Sequence, residues 1–566
     1  MNKRTYGNLS FISTKTGWEI TNIEPHVAIR LKQLFPRIPK AQTNKFQFPN
    51  DPITAADLDW FTTRYPLSMT KPDKRKLKKG SRSFEKNQAE MESILLPDYV
   101  PPKQAGLREG QVIRHYQAQA VEIIRRRKGL LLGDEGGLGK TFVSAYLMCS
   151  EPLSLPAAVV CDSHMQMQWK DKLESFTTLR VVIIKTTRPH DLPDADVYIF
   201  RVSQLAGWAD IFATGFFNSV TFDEPQSLRT GTGTAKGTAA KVLSDNTTYH
   251  LGLTATPIYN YGDEMFNIMN YIDDSILGNW TDFTREWCTM TGNGKYRISN
   301  PKALGTYLRE QFAMLRRLKS DVDLQLPTVS RIIEHVDYDS KTVKSMDELA
   351  KVLAIRATTG APLERGRAAR ELDIMVRHST GVSKARTVAN FVKILIEAGE
   401  PVILAGWHRD VYDIWRKEFE KNNPAWYTGS ESPTKKEQEK MRFINGETDL
   451  IIISLRSGAG LDGLQHRCSS IIFGELDWSP AVHQQLIWRI DREGQTQPVS
   501  AFFLVTDEGS DPPMMEVNGI KASEATQIVD PHLGVQIVNT NQSNLKKLAL
   551  RYLSNKNDNT KVKKVA

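Results

Sequence analysis

Short apolar runs alternate with helix-like stretches over most of this chain, and this rhythm restricts the fold more than any other feature of the sequence. GLLLG at 129–133, AAVVCD at 157–162 and DVYIFRV at 196–202 each have the length of a buried strand. Continuous apolar runs of this length are typical of strands covered on both faces, as in a parallel sheet. The sequence therefore predicts an α/β fold built from right-handed βαβ crossovers.

This alternation of predicted strands and helices occurs in two separate parts of the chain. The first continues with SVTFDE (219–224) and YHLGLTAT (249–256). The second begins after residue 385 and predicts four strands: PVILAGW (401–407), DLIIISL (449–455), SSIIFGE (469–475) and SAFFLV (500–505). The intervening stretch, 336–398, is polar and helix-like, with no predicted strand. Two α/β units in tandem are expected.

The two ends of the chain lack this rhythm. Residues 1–110 hold aromatic and basic patches and the charged run KPDKRKLKK (71–79), while the end contains NLKKLALRYL (544–553), predicted to be weakly helical. The predicted domains are an N-terminal accessory domain at 1–105, a first lobe at 106–335, a helical inter-lobe segment at 336–385, a second lobe at 386–510 and a basic tail at 511–566.

The charge is concentrated at the ends of the chain. The net charge is +9, with +8 in residues 1–110, +6 in 541–566 and −5 between them. Basic ends suit contact with a polyanion, because each neutralised phosphate releases counterions. Solvated basic segments that aid solubility explain the same charges equally well.

Membrane and secreted classes are not expected. No apolar run reaches the roughly 18 residues needed to cross a bilayer, and the N-terminus has no apolar signal core. The four cysteines are far apart in sequence, so reduced thiols in a cytoplasmic protein are expected, with no disulfide framework and no zinc site.

The stretch LGDEGGLGKTF at 132–142 follows a predicted strand and precedes a helix-like segment. Glycines in such a loop let backbone N–H groups converge on phosphate oxygens, and a helix N-terminus favours negative charge. Lys140 would reach the β- and γ-phosphates, and Thr141 would offer a hydroxyl to Mg²⁺. Asp134 stands where a full phosphate loop has glycine, so a glycine-rich turn with a solvated lysine is the alternative.

Two acids end the predicted strand in VTFDEPQ (220–226). Asp223 would hold Mg²⁺ through its water shell, and Glu224 would orient and deprotonate the attacking water. This end of a parallel strand is where such sheets bind ligands. The alternative is a pair of surface acids capping the next helix.

The segment QQLIWRIDREGQ (484–495) places Arg489 and Arg492 on one face of a helix or its end. Arginine binds phosphate bidentately and keeps its charge, so either guanidinium could complete the site from the second lobe. A surface salt-bridge network with Asp491 and Glu493 is the alternative.

Several segments together resemble the SNF2 group of superfamily 2 helicase-like motors, in order from about residue 111 to about residue 507. They are IRHYQAQAV (113–121), DEGGLGKT (134–141), VVCDSHMQMQW (159–169), TATPIYN (254–260), MLRRLKSDVDLQLP (314–327), AGWHRDVYDIW (405–415), SLRSGAGLDGLQ (454–465), ELDWSP (475–480) and RIDREGQ (489–495). The compact layout further resembles SNF2 proteins of bacteriophages and prophages.

This resemblance implies two tandem RecA-like parallel-sheet lobes, with ATP and Mg²⁺ as ligands. It implies duplex DNA as partner, with replication, repair or transcription proteins as further candidate partners, and the cytoplasm (of the host, if phage-encoded) as location. The implied ATP-binding residues are Gln117, which would read adenine, Gly137, Leu138, Gly139, Lys140, Thr141 and Gly460. The candidate DNA contacts are Ser163, Ser203, Arg229, Ser457 and Trp478. Trp478 is equally explained as a core aromatic.

Three positions depart from the SNF2 pattern: Gln226 replaces the histidine of DEAH, Asp462 puts an acid in motif V, and Glu493 replaces an isoleucine. The expected function is a DNA-dependent ATPase that translocates on, or remodels, duplex DNA and its protein complexes. A strand-separating DNA or RNA helicase is one alternative. The other is a DNA-binding accessory factor for replication, repair or transcription with a degenerate ATPase. The oligomeric state is left open.

Overall fold

The computed structural model describes residues 4–255, 263–290, 296–322, 326–345, 347–359, 362–456 and 461–516. The N-terminal part is a small α+β unit. Its antiparallel sheet β1-β2-β3 packs with three helices around buried Trp18, Phe46 and Leu58. The elements are β1 (Asn8–Ile12), β2 (Gly17–Thr21), α1 (Pro25–Leu34), β3 (Lys45–Pro49), α2 (Pro52–Arg64) and α3 (Lys71–Leu95).

The first lobe is a parallel sheet with helices on both faces. Its helices are α4 (His115–Arg127), α5 (Lys140–Ser150), α6 (Gln166–Phe176), α7 (Ala209–Ala213), α8 (Ala235–Asp245), α9 (Asp263–Ile272), α10 (Trp280–Trp287) and α11 (Pro301–Glu310). Its strands are β4 (Gly129–Leu132), β5 (Ala157–Cys161), β6 (Val181–Ile183), β7 (Val197–Arg201), β8 (Ser219–Asp223), β9 (Tyr249–Leu253), a separate hairpin of β10 (Cys288–Met290) and β11 (Tyr296–Ile298), and β12 (Met314–Leu315). The strand order among the described residues is β12-β4-β9-β8-β5-β7-β6.

The second lobe repeats this plan. Its strands are β13 (Val329–His335), β14 (Val402–Gly406), β15 (Ala425–Tyr427), β16 (Leu450–Ser454), β17 (Ser470–Phe473) and β18 (Val499–Val505). Its helices are α12 (Ser340–Ser345), α13 (Asp347–Thr359), α14 (Pro362–Glu397), α15 (Arg409–Glu418), α16 (Pro433–Ile444) and α17 (Pro480–Ile487). Within the described residues the strands run parallel in the order β13-β18-β17-β14-β16-β15.

The two parallel sheets confirm the predicted α/β fold, but two boundaries differ from the prediction. The predicted boundary at 335 assigns β13 to the first lobe, but β13 pairs with β18 at the edge of the second sheet. Most of its residues are exposed, so its sequence is too polar to resemble a buried strand. Helix α14 runs without interruption through the boundary predicted at 385. The predicted helical tail at 544–553 lies outside the described residues.

The carboxyl ends of the central strands carry the candidate site. The phosphate loop follows β4, and the acid pair closes β8, two strands away in the same sheet. Because all strands of this sheet are parallel, both groups meet at one edge. None of the helices among the described residues combines the length and apolar character that crossing a bilayer requires.

Candidate nucleotide site between the two lobes

The phosphate loop connects β4 to α5 through two residues in the left-handed region. Gly137 has φ +93° and Gly139 has φ +73°, backbone conformations that residues other than glycine rarely adopt. Lys140 begins α5, and its Nζ donates to the carbonyl oxygens of Asp134 at 2.6 Å and Glu135 at 3.3 Å. Burial lowers the pKa of Lys140 to about 8, and the nearby Glu224 carboxylate opposes that shift.

Asp134 holds the phosphate loop in place through buried hydrogen bonds. Its side chain is fully buried, and its Oδ1 accepts from the backbone N of Arg317 at 3.0 Å and from Nε of Arg317 at 3.1 Å. The Arg317 guanidinium also donates to the carbonyl oxygen of Tyr116. The acid that breaks the glycine pattern therefore ties the loop to the segment after β12.

The acid pair at the end of β8 lies near enough to Lys140 for its charges to act on the lysine. Trp169 Nε1 donates to Asp223 Oδ2 at 2.7 Å, and Thr254 Oγ1 donates to Glu224 Oε2 at 2.9 Å. Burial, with the adjacent Asp223 carboxylate, raises the pKa of Glu224 to about 7. Burial also raises the pKa of Asp223, although the Trp169 hydrogen bond favours the ionised form. A carboxyl with a pKa near neutrality suits proton abstraction from water.

Gln226, which replaces the expected histidine, is buried beside the acid pair. Its Nε2 donates to Thr254 Oγ1, the same hydroxyl that donates to Glu224. Gln226 therefore links the acid pair to the end of β9. An amide can do this without titrating.

Arg492 of the second lobe lies directly opposite the phosphate loop. A Cβ on Gly137 would lie 3.2 Å from Arg492 Cβ, and one on Gly136 would lie 2.3 Å from the Trp488 ring. Residues of both lobes line a cleft of about 990 Å³ between these groups. The cleft therefore brings the lysine and carboxylates of one lobe against the arginines of the other.

Asp462 joins the two lobes inside this cleft. Its carboxylate contacts Arg492, lies 3.8 Å from Arg489 Nη1, and reaches Lys172 Nζ of α6 at 2.9 Å. These cations hold the pKa of Asp462 well below its usual range, although its burial opposes the shift. Burial lowers the pKa of Arg489, and the Asp462 charge opposes that change.

The cleft fits a magnesium-bound nucleoside triphosphate. Arg489 Nε is buried and has no hydrogen-bond partner among the described residues, so this donor is available to an anion bound in the cleft. Lys140 and Arg492 would hold the phosphates, while the Thr141 hydroxyl and Asp223 are the groups that would hold Mg²⁺. Gln117 lies beside this site, where its Nε2 donates to the Leu138 carbonyl oxygen at 3.1 Å.

Comparison with known proteins agrees with this geometry. The SNF2-related domain model matches residues 58–387, more than half of the chain. The chain belongs to the SNF2-related family.

This SNF2-related chain is similar to several curated proteins. It is 25% identical over 413 residues to the SWI/SNF-related matrix-associated actin-dependent regulator of chromatin subfamily A-like protein 1 of Xenopus tropicalis, covering 71% of this chain and 43% of the relative. It is 21% identical over 421 residues to an uncharacterized ATP-dependent helicase of Mycoplasma pneumoniae, covering 69% and 40%. It is 24% identical over 423 residues to the mouse DNA annealing helicase and endonuclease ZRANB3, covering 69% and 38%.

The chain thus spans less than half of the length of these three relatives. Among solved structures, the Sulfolobus solfataricus SWI2/SNF2 ATPase core in complex with dsDNA is 18% identical, with a TM-score of 0.38. That match covers 76% of this chain and 99% of the archaeal chain.

Three of the candidate DNA contacts of this SNF2-related protein, Ser163, Ser203 and Arg229, follow strands of the first sheet at the edge that carries the nucleotide site. Ser163 follows β5, Ser203 follows β7, and both are exposed. Arg229, after β8, is exposed and lies 3.4 Å from Glu264. Trp478 is half-buried and donates to Asp373 of α14 at 2.7 Å, so its indole nitrogen is engaged within the protein. Ser457 and Gly460 lie outside the described residues.

Three residues of this SNF2-related site were not predicted: Trp169, Lys172 and Arg317. Trp169 and Arg317 occur in segments that resemble SNF2 motifs, but their own contacts are to Asp223 and Asp134, which are distant in sequence. Lys172 lies on α6 in an ordinary polar stretch, and no local signal marks it. Glu493 pairs with Arg114 of the first lobe, so the replacement of isoleucine adds another contact across the cleft.

Proposed function

We propose that this protein is a duplex-DNA-dependent ATPase that couples ATP hydrolysis to translocation on, or remodelling of, double-stranded DNA. The observation that carries the proposal is the position of Arg492 against Gly137, with Lys140 and Glu224 in the same cleft. A site divided between two lobes converts nucleotide binding and hydrolysis into lobe movement.

Each side chain has a proposed role in hydrolysis. Lys140 binds the β- and γ-phosphates, and Glu224 accepts a proton from the attacking water. Arg492 and Arg489 stabilise the charge that develops on the transferred phosphoryl group. Mg²⁺, held by Thr141 and Asp223, would neutralise phosphate charge when bound.

Duplex DNA is the proposed track. Ser163 and Ser203 are small donors at the sheet edge beside the cleft, and contacts of this kind bind a phosphate backbone without reading sequence. Two relatives have names that include ATP-dependent helicase and DNA annealing helicase, which supports a nucleic-acid substrate. The cytoplasm is the proposed location, and it would be that of the host if the protein is phage-encoded.

The test is ATP turnover with no DNA, single strands, linear duplex, a fork or a four-way junction. We expect turnover to rise steeply with duplex, and Lys140→Ala to abolish turnover while duplex binding persists. Equal turnover with and without DNA would refute the motor. A strand-displacement assay on DNA and RNA duplexes separates translocation from unwinding, and we expect no displacement.

A further inference from the structure

Helix α3 of the N-terminal unit carries a stripe of positive charge. Six exposed cations recur at spacings of three and four residues and therefore share one face over about 16 Å of helix. We call this set the basic stripe: Lys71, Lys74, Arg75, Lys78, Lys79 and Arg82. On the other side of the helix, Leu77 and Ser81 are buried.

The charges of the basic stripe are almost unneutralised. Lys78 pairs with Asp59 at 2.9 Å, and the other five cations make no ion pair with any acid that the structure describes. Within the stripe, four pairs of like charges are spaced i, i+4, an arrangement that destabilises a helix. A solvated surface helix usually mixes signs, so five unpaired charges of one sign indicate an external anionic partner.

The stripe is fixed to the ATPase lobe. Met91 and Ile94 at the far end of α3 belong to the core of the first lobe, and Gln119 of α4 donates to the Ile94 carbonyl oxygen at 2.7 Å. The N-terminal unit is also held by Arg37, which pairs with Glu286 of α10 at 2.8 Å. A partner bound to the stripe is therefore held at a set position relative to the cleft.

We propose that the basic stripe is a second binding surface for the phosphate backbone of duplex DNA, separate from the sheet-edge contacts at Ser163 and Ser203. This inference rests on the proposed function and extends it. A row of cations along a straight helix complements the regular charge of a duplex, whose phosphates dominate binding energy without specifying sequence. The stripe would anchor the DNA while the two lobes move on it.

The experiment measures duplex affinity of the full chain over a range of salt concentrations without ATP. The stripe variant is Lys71→Gln, Lys74→Gln, Arg75→Gln, Lys79→Gln and Arg82→Gln. Each phosphate contact contributes about −0.9 to the slope of log affinity against log salt, so removing five cations should lower the magnitude of the slope by about 4.5. Glutamine is a good helix former, so the far-UV circular dichroism spectrum of the variant should match that of wild type.

The control variant removes five exposed cations elsewhere that make no ion pair with a described acid: Lys185→Gln, Arg188→Gln, Lys302→Gln, Lys417→Gln and Lys421→Gln. We expect it to change the slope by less than one. The proposal would be overturned if the stripe variant had the same salt slope as wild type. It would also be overturned if the slope fell equally in the stripe variant and the control variant. A stripe variant that lost binding to anionic vesicles but bound duplex DNA as wild type does would also overturn the proposal. Failure of the proposed function is a separate result, namely wild-type turnover that duplex does not stimulate.

Discussion

At the scale of single residues, the cleft contains two groups whose environments move their pKa values toward neutrality. Burial raises the pKa of Glu224 to about 7 and lowers the pKa of Lys140 to about 8. The proposed base must be ionised, and the phosphate-binding lysine must be protonated. The two requirements overlap in a narrow pH range.

The pH dependence of kcat/KM for ATP should therefore be bell-shaped. It should rise through about pH 7 as Glu224 loses its proton and fall above about pH 8 as Lys140 loses its charge. The measurement is duplex-stimulated ATP turnover between about pH 5.5 and about pH 9.5 at constant ionic strength. A flat profile across that range would contradict both assignments.

Asp462 is the counter-ion shared by Arg489, Arg492 and Lys172. Asp462→Asn keeps the shape and removes the charge, so the two arginines would repel each other and Arg492 would leave its place opposite the loop. We expect kcat to fall roughly 10²-fold, because small displacements at a reacting centre have effects of that size.

The matched control is Asp449→Asn, at the opposite end of β16, where the carboxylate pairs with Arg467. That variant should retain wild-type kcat. A kcat for Asp462→Asn equal to that of the control would show that the shared carboxylate does not position the arginines.

At the scale of elements, the central strands of both sheets were predictable and the edge strands were not. Strands such as β5 and β16 are covered on both faces, so all five of their residues are buried. Within the two parallel sheets, the strands that the sequence analysis does not predict are β6, β12, β13 and β15, the edges of these sheets. An edge strand has only one neighbour. Strands β6, β12 and β15 have two or three residues each and β13 is largely exposed, so none of them has the run of five buried residues seen in β5 and β16.

The site residues likewise divide into those that local sequence predicts and those that only the packing of distant elements brings to the site. Lys140, Glu224 and Arg492 stand in contiguous motifs whose spacing reveals their chemistry. Arg317 and Trp169 act through partners far away in sequence, and only the packing of elements brings these together. The resemblance of DEGGLGKT to the SNF2 phosphate loop accounts for Asp134 in the sequence, but its partner Arg317 lies after β12 and only the fold brings the two together.

The contact between the phosphate loop and the segment after β12 should contribute strongly to stability. Arg317→Ala would leave the fully buried Asp134 carboxylate without its charged partner, so the first lobe should lose about 3–5 kcal/mol of unfolding free energy. The measurement is the urea midpoint of the first-lobe transition.

Arg180→Ala is the comparison variant, because Arg180 pairs with Asp196 at 2.9 Å on the exposed surface. Its midpoint should stay at the wild-type value. If both variants unfold at the same urea concentration, the buried pair is not an anchor.

At the scale of the whole molecule, ion pairs hold the two lobes together around the cleft. Lys319 Nζ lies 2.7 Å from Asp491 Oδ2, and Lys172 and Arg114 of the first lobe reach Asp462 and Glu493 of the second. Lys319 and Asp491 are both buried, so their attraction is weakly screened by salt.

Lys319→Met should separate the lobes, because it leaves Asp491 buried without its partner. We expect a larger radius of gyration by small-angle X-ray scattering and a lower kcat/KM for ATP. The matched control is Lys393→Met, whose lysine pairs with Glu418 at 2.8 Å within the second lobe. The control should scatter as wild type does, and a compact Lys319→Met protein would exclude this pair as a clamp.

The central claim is that a guanidinium of the second lobe completes an active site built on the first. The most direct measurement is ATP turnover by Arg492→Ala at saturating duplex, with nucleotide binding measured in parallel. The account predicts that turnover falls roughly 10³–10⁵-fold while ATP still binds, and that Arg467→Ala on the same lobe remains active. Turnover of Arg492→Ala within about tenfold of wild type, well short of that loss, would contradict it.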